Sequence, residues 1–240
     1  INSPPLFPPA HPLQPPSTST GFKIPTSYES AVQARRILAL TPLGTLSTVF
    51  PTHSSSKTPP GLAGMPIGLM DYIADCESSG NPTILAINIA TSFRNVAAGS
   101  NITLSLQWTP PYPPKKRIGA AKEAVPYSAA NLPRFSLLGY LEKIADEEVE
   151  AKALGKCFTD AHPDAKYWLP GNSIHESEWV RLVVTSVYWI GGFGDRAYIG
   201  WIPIEEWRNV TKGEWEDVQL PGEKRGWKEW AVETLGQWEL

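Results

Sequence analysis

At 240 residues, 42% of them hydrophobic, the chain carries enough apolar material for one full core in a single domain. A net charge of −3 with 19% charged residues leaves no basic footprint for nucleic acid, and no apolar run reaches the length of a membrane span. Two cysteines, Cys76 and Cys157, are too few for a disulfide scaffold or a zinc cluster.

Residues 1–25 hold eight prolines among serines and threonines, the composition of an extended arm. The chain starts at Ile1 instead of a methionine, so removal of a leading segment is expected. Thr26-Ser27-Tyr28-Glu29 is a capping box that opens a helix running to Leu40. Ala31, Ala34, Ile37 and Leu38 face the core, and Pro42 ends the element. Residues 43–50 read as a strand, 51–64 as a Ser/Pro/Gly loop, and 65–72 as a second strand. The turn-rich stretch Glu77-Ser78-Ser79-Gly80-Asn81 separates it from a third strand over 82–89. Thr91-Ser92-Phe93-Arg94-Asn95 opens a short helix ending at Gly99. Residues 101–107 alternate with period two, Ile102, Leu104 and Leu106 against Thr103, Ser105 and Gln107, which predicts a half-buried strand.

Residues 109–133 carry six prolines and are long for a structureless connection, which suits a lid, a cover or an insertion. Residues 134–144 return to strand, with Gly139 as a bulge or bend. Asp146 is expected to cap one helix whose stripe is Val149, Ala153, Leu154, Cys157 and Phe158, ended by His162-Pro163. On that stripe Cys157 reads as a buried free thiol; pairing with Cys76 in an oxidising compartment is the alternative, and spacing alone does not choose between them. Residues 187–207 form a glycine-turned hairpin whose second arm is apolar on both faces, which places it at the centre of a barrel or sandwich. Four tryptophans follow Trp207; Trp227, Trp230, Ala231, Leu235 and Trp238 share one helical face. The tail, 211–240, is therefore expected to dock on the barrel or on a partner.

Two sequons, Asn101-Ile-Thr103 and Asn209-Val-Thr211, are candidate glycosylation sites at expected strand edges, while the proline of Asn81-Pro-Thr83 disqualifies it. His11, His53, His162 and His175 lack metal-ligand spacing, so no metal site is expected. The acidic runs Glu205-Glu206 and Asp146-Glu147-Glu148 fit helix starts better than paired acid–base chemistry. No nucleophile elbow, phosphate loop or dinucleotide fingerprint is present.

Several segments, taken in order, carry a resemblance: Ala34-Arg35 with Gly44-Thr45-Leu46-Ser47-Thr48, Thr91-Ser92-Phe93-Arg94-Asn95-Val96, and Phe135-Ser136-Leu137-Leu138-Gly139. His162-Pro163-Asp164-Ala165 with Trp168, and Gly191-Gly192-Phe193-Gly194, complete the set. Over residues 27–207 the chain resembles the antiparallel split β-barrel with flanking helices of the pyridoxamine 5′-phosphate oxidase-like group, and within it the CREG-like secreted glycoproteins. The resemblance implies an α+β, FMN-binding-protein-like split-barrel domain over 26–210, and a homodimer in which each half-open barrel is completed by its partner. In flavin-binding relatives FMN sits at that interface; the matching phosphate residues here are Thr91, Ser92 and Arg94. Ser92 as a plain helix cap with Arg94 in solvent is the blander reading of the same residues. The CREG-like branch implies a glycoprotein that is secreted or vacuolar/lysosomal, acts by binding, and turns over no flavin. The alternative is an FMN-dependent oxidoreductase acting on a small molecule at the dimer interface. A flavin-free barrel catalysing a non-redox step is a further one.

Overall fold

Helix α1 (Ser27–Leu40) starts where its sequence requires. The Thr26 side chain accepts from the Glu29 amide at 3.1 Å while the Glu29 carboxylate accepts from the Thr26 amide at 2.7 Å. Ala31, Ala34, Ile37 and Leu38 are buried as expected, and Arg35 lies in the same buried stripe. The computed structural model describes residues 24–52, 60–112, 129–172, 175–194 and 197–224. The Pro-rich arm, most of the 109–133 loop and the helical pattern expected over 227–238 fall outside them.

After α1 come strands β1 (Leu43–Val49), β2 (Pro66–Tyr72) and β3 (Thr83–Ile87), then helix α2 (Thr91–Ala97) and strands β4 (Ile102–Gln107) and β5 (Arg134–Lys143). Helices α3 (Asp146–Ala151) and α4 (Leu154–Ala161) precede the long strand β6 (Ser177–Ile190) and the short β7 (Ile199–Ile202). Helices α5 (Ile204–Asn209) and α6 (Lys212–Asp217) close the described chain. All pairings are antiparallel, in the order β2-β1-β4-β5-β6-β3, with β7 also paired to β6. The sheet curls until its two end strands meet again at one bridge, Ala74 with Thr83 (2.8 and 3.0 Å). This is a split barrel with helices on its flanks.

Alternate residues of each strand fill the barrel: Leu46, Ile84, Leu104, Leu137 and Val187 are buried in one cluster with the α1 stripe. A second, smaller core under α3 and α4 gathers Leu85, Ile144, Leu154, Phe158 and Trp179 on the other face of β3. Strands β3 and β7 share one edge of β6, at opposite ends of it. Groups that are not strands serve the stretch between them. The Leu182 amide donates to the Pro82 carbonyl (3.0 Å) and the Val184 amide to Asn81 Oδ1 (3.0 Å). The Val184 carbonyl accepts from Arg208 Nη2 (3.2 Å), so the edge is satisfied without a strand.

Five expectations change. The single helix from Asp146 is two helices, because Ala153 is left-handed (φ 48°) and breaks the hydrogen-bond ladder. Its N-cap is Ala145, with no side-chain cap from Asp146. Cys157 is not a free thiol: it is bonded to Cys76, with Cα atoms 5.9 Å apart. The hairpin's second arm is not buried on both sides, since Ile199 and Trp201 on the outer face of β7 are 43% and 57% exposed. Asn209 ends a helix instead of lying at a strand edge, whereas Asn101 does precede a strand.

Gly139 marks a bulge as its sequence suggested. Leu138 pairs with Ser186 and Gly139 with Val184, leaving Thr185 as the extra residue on β6. A Cβ on Gly139 would stand 1.9 Å from the Val183 carbonyl oxygen, a backbone atom that cannot step aside. Gly139→Ala is therefore expected to lower the unfolding free energy by about 3 kcal/mol. Urea denaturation measures this, and a variant as stable as the parent would mean that β5 and β6 re-register freely.

Candidate functional site

Cross-strand register lays one row of side chains over the outside of the sheet. Met70 pairs with Thr45, Thr45 with Ser105, Ser105 with Ser136, Ser136 with Tyr188, and Tyr188 with Trp201. These are the positions that alternate with the buried ones, so their side chains leave the core. Ser105 and Ser136 hydroxyls are 2.8 Å apart, and the Tyr188 and Trp201 rings meet edge to face at 5.0 Å. Over this row runs a groove of about 630 Å³, bounded by the end of α1 (Leu40, Thr41), by Leu43, and by Gln107, Trp108 and Arg134. It is apolar at its rim and hydroxyl-lined at its floor. Arg134 is the one charged residue among the described lining, its Nη1 donating to the Ala130 carbonyl at 3.2 Å.

The candidate phosphate residues lie elsewhere. Helix α2 contributes nothing to the described lining of the groove. It is fastened to β1 by Asn95 Nδ2, which donates to Thr48 Oγ1 at 3.0 Å in a buried bond. Ser92 is buried, Thr91 half-buried and Arg94 exposed. Ser92 does not cap the helix either: the N-cap is Ala90, with no side-chain bond. A flavin phosphate held away from water requires several charge-assisted donors at one place. Among the described residues of one chain the candidate donors are split between α2 and a groove with one guanidinium, and do not come together as that set.

Of the histidines, His162 and His175 are described. His162 is buried, stacked on Tyr72 at 4.3 Å, with Nε2 at 2.8 Å from the Ile73 carbonyl oxygen. Among the described residues no group of three or more His, Cys, Asp or Glu side chains is placed to hold a metal ion. No described helix is long and apolar enough to cross a membrane.

The densest polar cluster is one the sequence did not single out. The turn between β2 and β3 receives Arg35 from α1: Nη2 donates to the Ser78 carbonyl at 3.0 Å and lies 3.7 Å from Asp75 Oδ2. Gly80, at φ +74°, leaves the guanidinium its space; a Cβ there would come within 2.8 Å of Arg35 Cζ. In the same turn Glu77 pairs with Arg181 (2.8 Å) and Lys152 (3.1 Å), and Cys76 carries the disulfide. Burial pushes the Asp75 carboxyl up to about 6, against the opposing pull of Arg35. Desolvation likewise holds the Arg35 guanidinium below its ordinary range. Two signals in the sequence touched this residue: Arg35 stands one turn from Ala31 inside an apolar stripe, and Ala34-Arg35 is among the segments that carry the family resemblance.

The family model described as CREG, beta-barrel matches residues 25–209. No curated protein sequence matches the chain. A heme-binding protein from Mycobacterium smegmatis is similar in structure, with a TM-score of 0.53 and 21% identity over 75% of this chain. The match spans 60% of that protein's own length. A protein of unknown function from Agrobacterium tumefaciens str. C58 gives a TM-score of 0.49 at 21% identity, covering 85% of this chain and 64% of its own. ChuZ of Campylobacter jejuni gives 0.42 at 11% identity, covering 68% and 55%. At these identities the likeness concerns the fold.

The buried carboxylate gives stability a pH dependence. Unfolded, Asp75 titrates near ~3.9; folded, at about 6. Between those values the native state binds its proton more tightly, so Asp75 makes the parent lose stability as pH rises from about 4 to 6, by up to roughly 3 kcal/mol. Asp75→Asn, which does not titrate, is expected to gain on the parent across that window and keep a constant margin above it. Urea unfolding at several pH values reads the difference; a margin independent of pH would return this carboxyl to its ordinary range.

Proposed function

The chain belongs to the CREG β-barrel family, and from that premise we propose that it is a dimeric glycoprotein of the secretory route that acts by binding, without flavin turnover. The observation that carries this reading is the groove on the outer face of the sheet. It is large enough for a small molecule, apolar at its rim, and holds one cation and no nucleophile–base pair among its described residues. The disulfide between Cys76 and Cys157 supports an oxidising compartment. Both sequon asparagines are exposed and so open to a glycan.

Homodimerisation is supported by the same face. Met70 and Trp201 are 73% and 57% exposed at the two ends of the row, with Ile199 and Tyr188 beside Trp201, and large apolar side chains left open in this way favour a covering partner. Trp201→Glu leaves the barrel interior untouched, because Trp201 is outside it. The variant is expected to fold like the parent while its dimer dissociation constant rises at least about tenfold. Light scattering across concentrations measures this, and a parent that is monomeric at micromolar concentration would remove the dimer from the proposal.

The function itself is tested by colour and mass. The protein purified from a eukaryotic secretory host is expected to be colourless, and to lose mass with a glycosidase at both Asn101 and Asn209. Unchanged mass at both sites would take away the glycoprotein. A yellow preparation, or a micromolar FMN dissociation constant that Arg94→Ala or Arg134→Ala abolishes, would install the oxidoreductase reading in its place.

A further inference from the structure

The two end strands of the sheet touch and then part. Ala74 and Thr83 exchange both backbone bonds, but the next pair in that register, Tyr72 with Leu85, does not form. Past the bridge the edges of β2 and β3 diverge, and the split between them holds a pocket of about 350 Å³. Leu85 and Ile87 form its β3 wall, Phe158 of α4 its floor, and Trp168 stands beside Tyr72. Among the described lining only Leu43 and Met70, at the rim, are shared with the groove.

The polar content of this pocket is one-sided. Asp71 is the one charged residue of the described lining, and it makes no ion pair among the described residues. Its Oδ1 accepts from the Tyr72 amide at 2.8 Å. Desolvation holds the carboxyl above the ordinary carboxylate range, opposed by that amide and not by a cation. Nearby, Asp164 accepts from the Tyr72 hydroxyl at 2.7 Å, while Lys166 lies over the Tyr167 ring at 4.9 Å. The aromatic walls are held in place. Tyr72 is stacked on the buried His162 ring, and the Trp168 ring stands 6.2 Å from it at 45°. The Trp168 carbonyl accepts from the Ser177 hydroxyl at 2.9 Å, and Phe158 packs edge-on against Trp179 at 5.2 Å.

We propose that the split between β2 and β3 binds a small organic ammonium ion, its charged head on Asp71 and the Tyr72 and Trp168 rings, its apolar body on Leu85, Ile87 and Phe158. Aromatic faces are negative at their centres, so rings and carboxylate attract the same charge. An ammonium head supplies the charge-assisted donors that Asp71 lacks and offsets its desolvation. A neutral molecule of the same shape fills the space without doing so, and an anion such as a flavin phosphate is repelled. The pocket is at the small end of ligand sites, which suits a body of one ring or a short branched chain. The site goes beyond the binding proposed at the groove. Every residue it uses belongs to one chain and none lines the groove, so it rests on neither flavin, glycan nor dimer.

The test is calorimetric titration of the full chain at about pH 7 with benzylammonium chloride and with benzyl alcohol, which share a shape and differ in charge. Benzylammonium is expected to bind with a dissociation constant of about 1 mM or below, and benzyl alcohol at least about tenfold more weakly. Asp71→Asn keeps an oxygen for the Tyr72 amide and is expected to weaken benzylammonium at least about tenfold, to the level of benzyl alcohol. Ile87→Trp fills the pocket from its half-buried wall and is expected to abolish benzylammonium binding. No heat from benzylammonium up to about 10 mM, or equal binding of the two probes by the parent, overturns the proposal. So does either variant if it folds and binds benzylammonium as the parent does. The comparison of probes on the parent decides even where a variant does not fold.

Discussion

The buried guanidinium of Arg35 is the constraint on which the barrel depends. An antiparallel sheet that curls through six strands has two edges to reconcile, and here they meet at a single bridge across the β2–β3 turn. Arg35 reaches that turn from α1, donates into its backbone, faces Asp75 and stacks its guanidinium 5.4 Å above the Trp207 ring of α5. One side chain thus joins α1, the seam and α5. Charge of this kind is costly to bury; Nη1 and Nη2 are met by the Trp207 and Ser78 carbonyls and by Asp75, while Nε has no hydrogen-bond partner among the described residues. Glu77 and the disulfide tie the same turn to β6 and to α4.

The two faces of the sheet divide the labour. Inside, mostly apolar side chains meet α1, and the buried Thr48 hydroxyl is taken up by its bond from Asn95. Outside, the alternate positions bring hydroxyls to the middle of the sheet and large apolar rings to its margins. A face with that composition is unstable in water on its own and is specific for nothing small and strongly charged. It suits a partner surface or an aromatic, weakly polar ligand, which is why binding is the simpler account of the site. Family membership agrees with that account through the fold, and the low identity to the solved structures leaves the ligand to be argued from this chain's own residues.

Much of the fold was legible because local rules were obeyed locally. The capping box at Thr26, the period-two pattern of β4 and the glycine at the β5 bulge each state their conformation in a few residues. The break at Ala153 was not legible, since alanine favours helix and carries no signal for a left-handed backbone. Arg35 was hidden for a different reason: its partners arrive from a turn and a helix distant in sequence, and burial of a charge is only intelligible once they are in place. The disulfide was one of two open readings until Cys76 and Cys157 were brought within bonding distance. The outer face of β7 misled through hydropathy, because Ile199 and Trp201 are apolar yet exposed, outside the core. Thr91, Ser92 and Arg94 are adjacent in sequence, yet the helix spreads them between interior and solvent, away from the groove.

The pairing of β3 with β6 has a consequence for biosynthesis. Thr83 pairs with Arg181 and Ile87 with Ser177, residues roughly ninety or more positions apart, whereas β1 and β2 are near neighbours in the chain. On a ribosome adding about 5–20 residues per second, β3 emerges roughly 5–20 seconds before the strand that will cover its edge. Thr-Ile-Leu-Ala-Ile is buried at nearly every position in the finished protein and carries no charge to discourage a wrong partner. Until β6 arrives, β3 is an uncharged apolar segment without the strand it pairs with. The rate at which the cell can make this protein without aggregation is set by how long β3 is kept from its neighbours.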